Sequence, residues 1–137
     1  VAKRTLILKG DGVPDWANPD ASDIDHYLSK LHPVKHSFVI LEDNKGGFVQ
    51  CAGAKLILVL DFHTVARGKH RQFVLRKDAV LEDAKSMVNC KCGPVQVHRN
   101  ERLDLKDARE VFLAFLTTRN VPKSFFRREI TQEFEWN

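Results

Sequence analysis

Apolar and polar positions alternate through the middle of this chain and recur at helical spacing on either side of it. In "PDASDIDHYLSKLH", Ile24, Tyr27, Leu28 and Leu31 fall on one helical face, Asp20 or Ser22 is placed to cap the first turn, and Pro33 stops the element. "HSFVILED" and "GFVQCAGA" read as strands joined by "DNKGG", whose glycines supply the positive φ of a hairpin. "KLILVLDFHTV" continues as a long strand, and "ARGKH" turns it into "RQFVLRK", where Phe73 and Leu75 alternate with polar neighbours. Four antiparallel strands are therefore expected in sequence order.

"DAVLEDAKSMVN" fits a short helix or an irregular crossing, ahead of a further strand, "PVQVHR". In "LDLKDAREVFLAFLTTRN", Leu105, Ala108, Val111, Phe112, Phe115 and Leu116 keep helical spacing and Asp104 is the natural N-cap. The helix should end near Asn120, before Pro122, and "SFFRREITQEFEW" alternates as a strand does. These elements predict an α+β fold, with an antiparallel sheet of about five or six strands and helices packed on one face. The helix from about Leu105 to Thr118 is the chief of them.

Length turns that pattern into one expected domain over residues 1–137, since 137 residues bury a genuine core without staples. The 43% hydrophobic and 29% charged fractions are ordinary globular usage. Apolar runs stay short, Leu56 to Leu60 being strand-length, so no membrane span is expected. "VAKRTLILKGDG" has a basic pair but neither a long apolar region nor a small-residue cleavage site, and reads as carrying no secretory signal. Three cysteines, Cys51, Cys90 and Cys92, make a poor disulfide framework and fit thiols kept reduced in a cytoplasm. The net charge of +4 is interleaved rather than blocked, which disfavours a pure nucleic-acid reading.

The most enzyme-like stretch is "VNCKCGPVQVH". C-x-C is neither the common zinc-knuckle spacing nor the C-x-x-C redox motif. In a strand, Cys90 and Cys92 share a face that Cys51 or a histidine could join, but small buried thiols are the expected reading. The six histidines, His26, His32, His36, His63, His70 and His98, lie in no local motif that fixes a catalytic role. No phosphate loop, paired catalytic glutamate or dinucleotide fingerprint is present, so no catalytic residue, metal site or cofactor is assigned. Phe38, Phe48, Phe62 and Phe73 could stack bases on an open sheet, but each sits in an alternation expected to face the core. Phe125, Phe126, Arg127 and Arg128 read as an anchor of the tail against the helix.

Three stretches in order, "DNKGGFVQCAGAKLILVLDF", "LDLKDAREVFLAFLTTRNVP" and "SFFRREITQEF", resemble small cytoplasmic immunity proteins. Those are encoded beside bacterial polymorphic or contact-dependent inhibition toxins. The resemblance spans roughly residues 37 to 136 and is carried by patterns of apolar and acidic residues. Relatives often close with a Trp-Arg pair after the "VP" step, where this chain has Phe126 and Arg127. It is also more basic than many immunities to nucleases, which argues against a nuclease partner and leaves toxin binding open. The resemblance implies a non-enzymatic binder that occludes the active site of a cognate toxin C-terminal domain. Arg67, Lys69, His70 and Arg71 at the hairpin end, with Asp15 and Trp16 as a second patch, are the expected contacts. The alternative is a mildly basic nucleic-acid or other ligand-binding module, whose affinity would fall steeply with salt.

Overall fold

A computed structural model of the chain describes residues 5–91 and 93–133. Its strands and helices, in chain order, are β1 (Ile7–Gly10), β2 (Val13–Ala17), α1 (Ala21–Ser29), β3 (Phe38–Glu42), β4 (Phe48–Gly53), β5 (Leu58–Ala66), β6 (Lys69–Arg76), β7 (Lys85–Cys90), β8 (Gly93–His98), α2 (Leu105–Thr118) and β9 (Phe126–Glu129). The fold is α+β. Seven strands form one antiparallel sheet in the order β2-β1-β3-β4-β5-β6-β9, and β7 and β8 form a separate hairpin.

The expected run of four antiparallel strands is present as β3 to β6. The sheet is nevertheless larger than five or six strands, because β1 and β2 add a short hairpin at one edge. β1 pairs with β3 across the intervening helix, Ile7 opposite Glu42 and Gly10 opposite Val39. Edge strand β2 carries Pro14, a residue that suits only an edge. The Tyr27 hydroxyl of α1 donates to the Pro14 carbonyl and ties helix to edge.

Both helices start on an aspartate capping box. Asp20 accepts from the Asp23 amide at 2.9 Å and its own amide donates to Asp23, which settles the choice between Asp20 and Ser22. Asp104 and Asp107 repeat the arrangement at α2. α2 ends one residue before Arg119, whose left-handed backbone (φ 61°) closes it.

Two clusters divide the core by strand alternation. On the first face Val39, Leu41, Val49, Cys51, Leu60, Phe62, Phe73 and Leu75 join Ile24, Tyr27 and Leu28 of α1 and Ala108, Val111, Phe112 and Phe115 of α2. On the second face Ala52, Val59 and Val74 meet Val88 of β7, Val97 of β8 and Ile130. Phe62 and Phe73 are core residues as expected. Phe38 instead packs half-buried against the second cluster, and Phe48 lies half-buried against His63.

Further differences from the sequence pattern have local causes. β5 begins at Leu58, because Ala54 donates to the Ile57 carbonyl at 2.9 Å and closes a turn that leaves Leu56 outside. Gly53 is needed there: its φ is +127°, and a Cβ would lie 2.7 Å from that same carbonyl oxygen. Residues 78–84 take the irregular crossing, with Arg76 donating to the Asp78 and Ala79 carbonyls, but residues 85–89, expected in the same helix or crossing, are strand, because β7 pairs with β8. Among the described residues the tail strand is limited to β9, followed by a 3-10 turn, Thr131–Glu133, and the rest of the expected strand lies outside them.

Candidate functional site

Register brings the chemistry to the second face. β4 sets Gln50 opposite Asp61 and Phe48 opposite His63, and β6 sets Gln72 opposite His63 and Val74 opposite Asp61. The outer ladder places Arg128 of β9 beside Val74. Polar side chains on four neighbouring strands thus share one side of the sheet, while the residues between them fill the apolar core.

They bond to one another in a chain. Gln72 Nε2 donates to Asp61 Oδ2 at 3.1 Å, so its Oε1 is turned to accept from His63 Nδ1 at 2.5 Å. His63 Nε2 is then the acceptor for His70 Nδ1 at 2.9 Å. Burial, opposed by the Gln72 bond and helped by His70, pushes the His63 pKa below its ordinary value. Phe48 stacks on the His63 ring at 4.7 Å and 4°. Beside this chain Arg128 grips fully buried Glu101 with two 2.9 Å hydrogen bonds, and Glu101 also accepts from the His98 amide.

A cavity of about 280 Å³ lies between the second face and the β7–β8 hairpin. Its walls are Ala52, Val59, Val74, Val95, Val97 and Ile130, and its polar rim is Gln50, Asp61, Cys90, Gln96, Arg128 and Glu133. A smaller pocket of about 230 Å³ shares Gln50, Ala52 and Cys90 with it and reaches Ser37, Phe38 and Lys91. Burial pushes the Asp61 carboxyl up to about 6. The Gln72 bond and Arg128 oppose that shift, and Glu101 reinforces it.

The residues expected from sequence to form a contact surface lie apart. Arg67 (φ 54°) and Gly68 (φ 76°) make the two-residue turn between β5 and β6, both left-handed as a type I′ turn requires. Arg67, Lys69 and Arg71 are exposed. Alternation sends His70 to the second face and into the polar chain, whereas Arg71 covers the Phe73 ring at 5.0 Å and pairs with Glu129 at 2.6 Å. Asp15 and Trp16 are exposed on edge strand β2, with β1, β3 and β4 between them and β5. That is roughly 20 Å at ~4.8 Å per strand.

The thiols are separated too. Cys51 is sealed in the first-face core and burial pushes it up to about 12, which removes it as a nucleophile at neutral pH. Cys90 lines the second-face cavity and donates to the Gly93 carbonyl at 3.1 Å. Cys92 lies outside the described residues. No cluster of three or more His, Cys, Asp or Glu able to hold a metal occurs among the described residues. No helix among them is long and apolar enough to cross a membrane.

The other end of β5 carries a surface that the periodic pattern hides. Leu56 is 85% exposed, Ile57 44% and Met87 48%, and with Pro33, Ala54 and Asn89 they line one depression of about 210 Å³. The readable signal was the small-residue step "AGAK" just before the apolar run. The polar chain had a signal as well, an aspartate and a histidine two residues apart inside an otherwise apolar strand. No protein-family model matches this sequence, and no curated protein matches it.

Proposed function

We propose that this chain is a non-catalytic binding protein of the immunity type, which docks on a cognate bacterial toxin domain in the cytoplasm and occludes its active site or substrate access. The observation that carries this reading is the exposed depression formed by Leu56, Ile57, Met87, Pro33 and Ala54. Large apolar side chains gathered on a surface mark protein contacts far more often than scattered ones do. Lys35 and Lys55 border it in sequence, a polar rim of the kind that surrounds an apolar anchor. The basic turn at Arg67 and Lys69 stands at the opposite end of β5, about 30 Å away for nine residues at ~3.3 Å each, and its role in this reading is to steer encounter.

Paired charges support binding to protein over nucleic acid. Lys9 is held by Glu42, Arg71 by Glu129, Arg109 by Asp25 and Arg128 by Glu101, so these four cations already have partners. The test is co-purification with the toxin domain encoded immediately upstream, together with growth in its presence. A stoichiometric complex and rescue of growth are expected. Leu56→Asp combined with Met87→Asp should weaken the complex more than tenfold, whereas Arg67→Glu should mainly slow association. Failure of the unaltered chain to bind or to rescue growth would sink the reading.

A further inference from the structure

We propose that the cavity between the sheet's second face and the β7–β8 hairpin binds a small organic cation, a guanidinium or alkylammonium on a short apolar stem, with Asp61 as its counter-ion. The room is there: about 280 Å³ exceeds the ~150 Å³ of an engineered apolar cavity that takes benzene. The walls Val59, Val74, Val95, Val97 and Ile130 suit a hydrocarbon stem.

Charge selects the head group. Arg128 is committed to Glu101 through two hydrogen bonds, and the pair acts on Asp61 with opposite signs. Arg128 acts on Asp61 and Glu133 through space without a hydrogen bond to either, which leaves Asp61 in the cavity and Glu133 at its rim as carboxylates with no bonded cation among the described residues. Among the described residues Asp61 receives one hydrogen bond, from Gln72, although a carboxylate has about four acceptor positions. A half-buried carboxylate short of donors is costly, and a guanidinium or ammonium supplies both the donors and the charge. Gln50 and Gln96 add amide oxygens on the two sides of the cavity.

The groups facing Asp61 are few. Glu101 comes from the 3-10 turn after β8, Arg128 from β9 and Glu133 from the final turn, with His63 beside it on β5 and reached through Gln72. The hairpin contributes Cys90, Val95, Gln96 and Val97. A carboxyl with its pKa near 6 is about one-tenth ionised at pH 5, so cation binding should be about tenfold weaker there than at pH 7.5.

The experiment is a titration of the full chain with n-butylguanidinium, followed by backbone amide NMR, with butyramide as the neutral control. Saturable shifts at Gln50, Val59 and Gln96 are expected, with Kd on the order of 1 mM, the scale of a small ligand with one charged contact. Asp61→Asn should weaken binding at least tenfold and remove its pH dependence. Equal binding by butyramide, no saturable shift in the cavity, or a pH-independent affinity in the unaltered chain would overturn the proposal. The pH arm needs no variant, so it decides the matter even if Asp61→Asn fails to fold. A free amine and an arginine or lysine of a bound protein present the same chemistry. Displacement of the probe by the toxin domain assigns the cation to the partner, and simultaneous binding assigns it to a free small molecule. The proposal stands apart from the occlusion reading, since the toxin complex can form with the cavity empty and the probe can bind where no toxin does.

Discussion

The two faces of the sheet bury their side chains by different means. From β3 to β6 the first face offers Val39, Leu41, Val49, Cys51, Leu60, Phe62, Phe73 and Leu75, which share a cluster with both helices. The second face offers Ala52, Val59 and Val74 against a two-stranded hairpin, and interrupts them with Gln50, Asp61, His63 and Gln72. One face is held chiefly by apolar contact. The other depends on each polar group finding its partner, because a buried group left unpaired costs about 1–3 kcal/mol.

The largest effect is expected on the first face. Phe112 is fully buried where α2 meets the main cluster, and Phe112→Ala should cost about 4 kcal/mol, within the range for such truncations. Val59 lines a cavity that already exists, so Val59→Ala should cost only about 1.5 kcal/mol, near the transfer value of its two lost carbons. Urea unfolding of both variants checks this. Equal losses would show that the second face is packed as tightly as the first.

Next in size is the pair that closes the second face. Glu101 is fully buried, holds Arg128 and accepts the His98 amide. Glu101→Gln keeps the shape but leaves the guanidinium without its counter-charge, and about 3 kcal/mol should be lost. Replacing both members, Glu101→Gln with Arg128→Met, should restore part of that loss. A double variant as unstable as the sum of the single ones would show that the two side chains act independently.

This contrast also explains what the sequence could reveal. β3 to β6 and α2 are legible because period and cap lie within one segment: Asp104 stands three residues before Asp107, and "HSFVILED" alternates without interruption. β1 is hidden because it has only four residues, its register with β2 shifts between Leu8 and Gly10, and its other partner, β3, lies across the whole of α1. The second face is hidden because no window of sequence contains Gln50, Asp61, Gln72 and Arg128 together; the register of four strands assembles them. Leu56 misleads for the opposite reason. It belongs to the apolar run, but the turn after Gly53 places it outside the strand. The expected contact residues lay on two hairpins whose separation depends on strand order, which no spacing encodes.

Asp61 gives the finest comparison between the faces, because it sets the cost of a charge in a strand whose first-face neighbours, Leu60 and Phe62, are hydrocarbon. Its carboxyl is pushed up to about 6 from an ordinary 3.8, chiefly by burial. Between those values the folded chain holds a proton that the unfolded chain releases. Stability contributed by Asp61 is therefore full below about pH 4, falls as pH rises and is lost above about 6. Two units correspond to a ceiling of about 3 kcal/mol, and the opening of the cavity to water reduces this to about 1–2 kcal/mol. Asp61→Asn keeps an acceptor for Gln72 and has no charge to desolvate. It should match the unaltered chain at pH 3.5 and exceed it by about 1–2 kcal/mol at pH 7.5, measured by urea unfolding at each pH. Carboxylates such as Asp11 and Glu129, whose pKa values are lowered by hydrogen bonds, act with the opposite sign in both proteins and cancel in the difference. A difference that stays flat with pH would show that Asp61 is as well solvated as a surface carboxylate, and the second face would then differ from the first in packing alone.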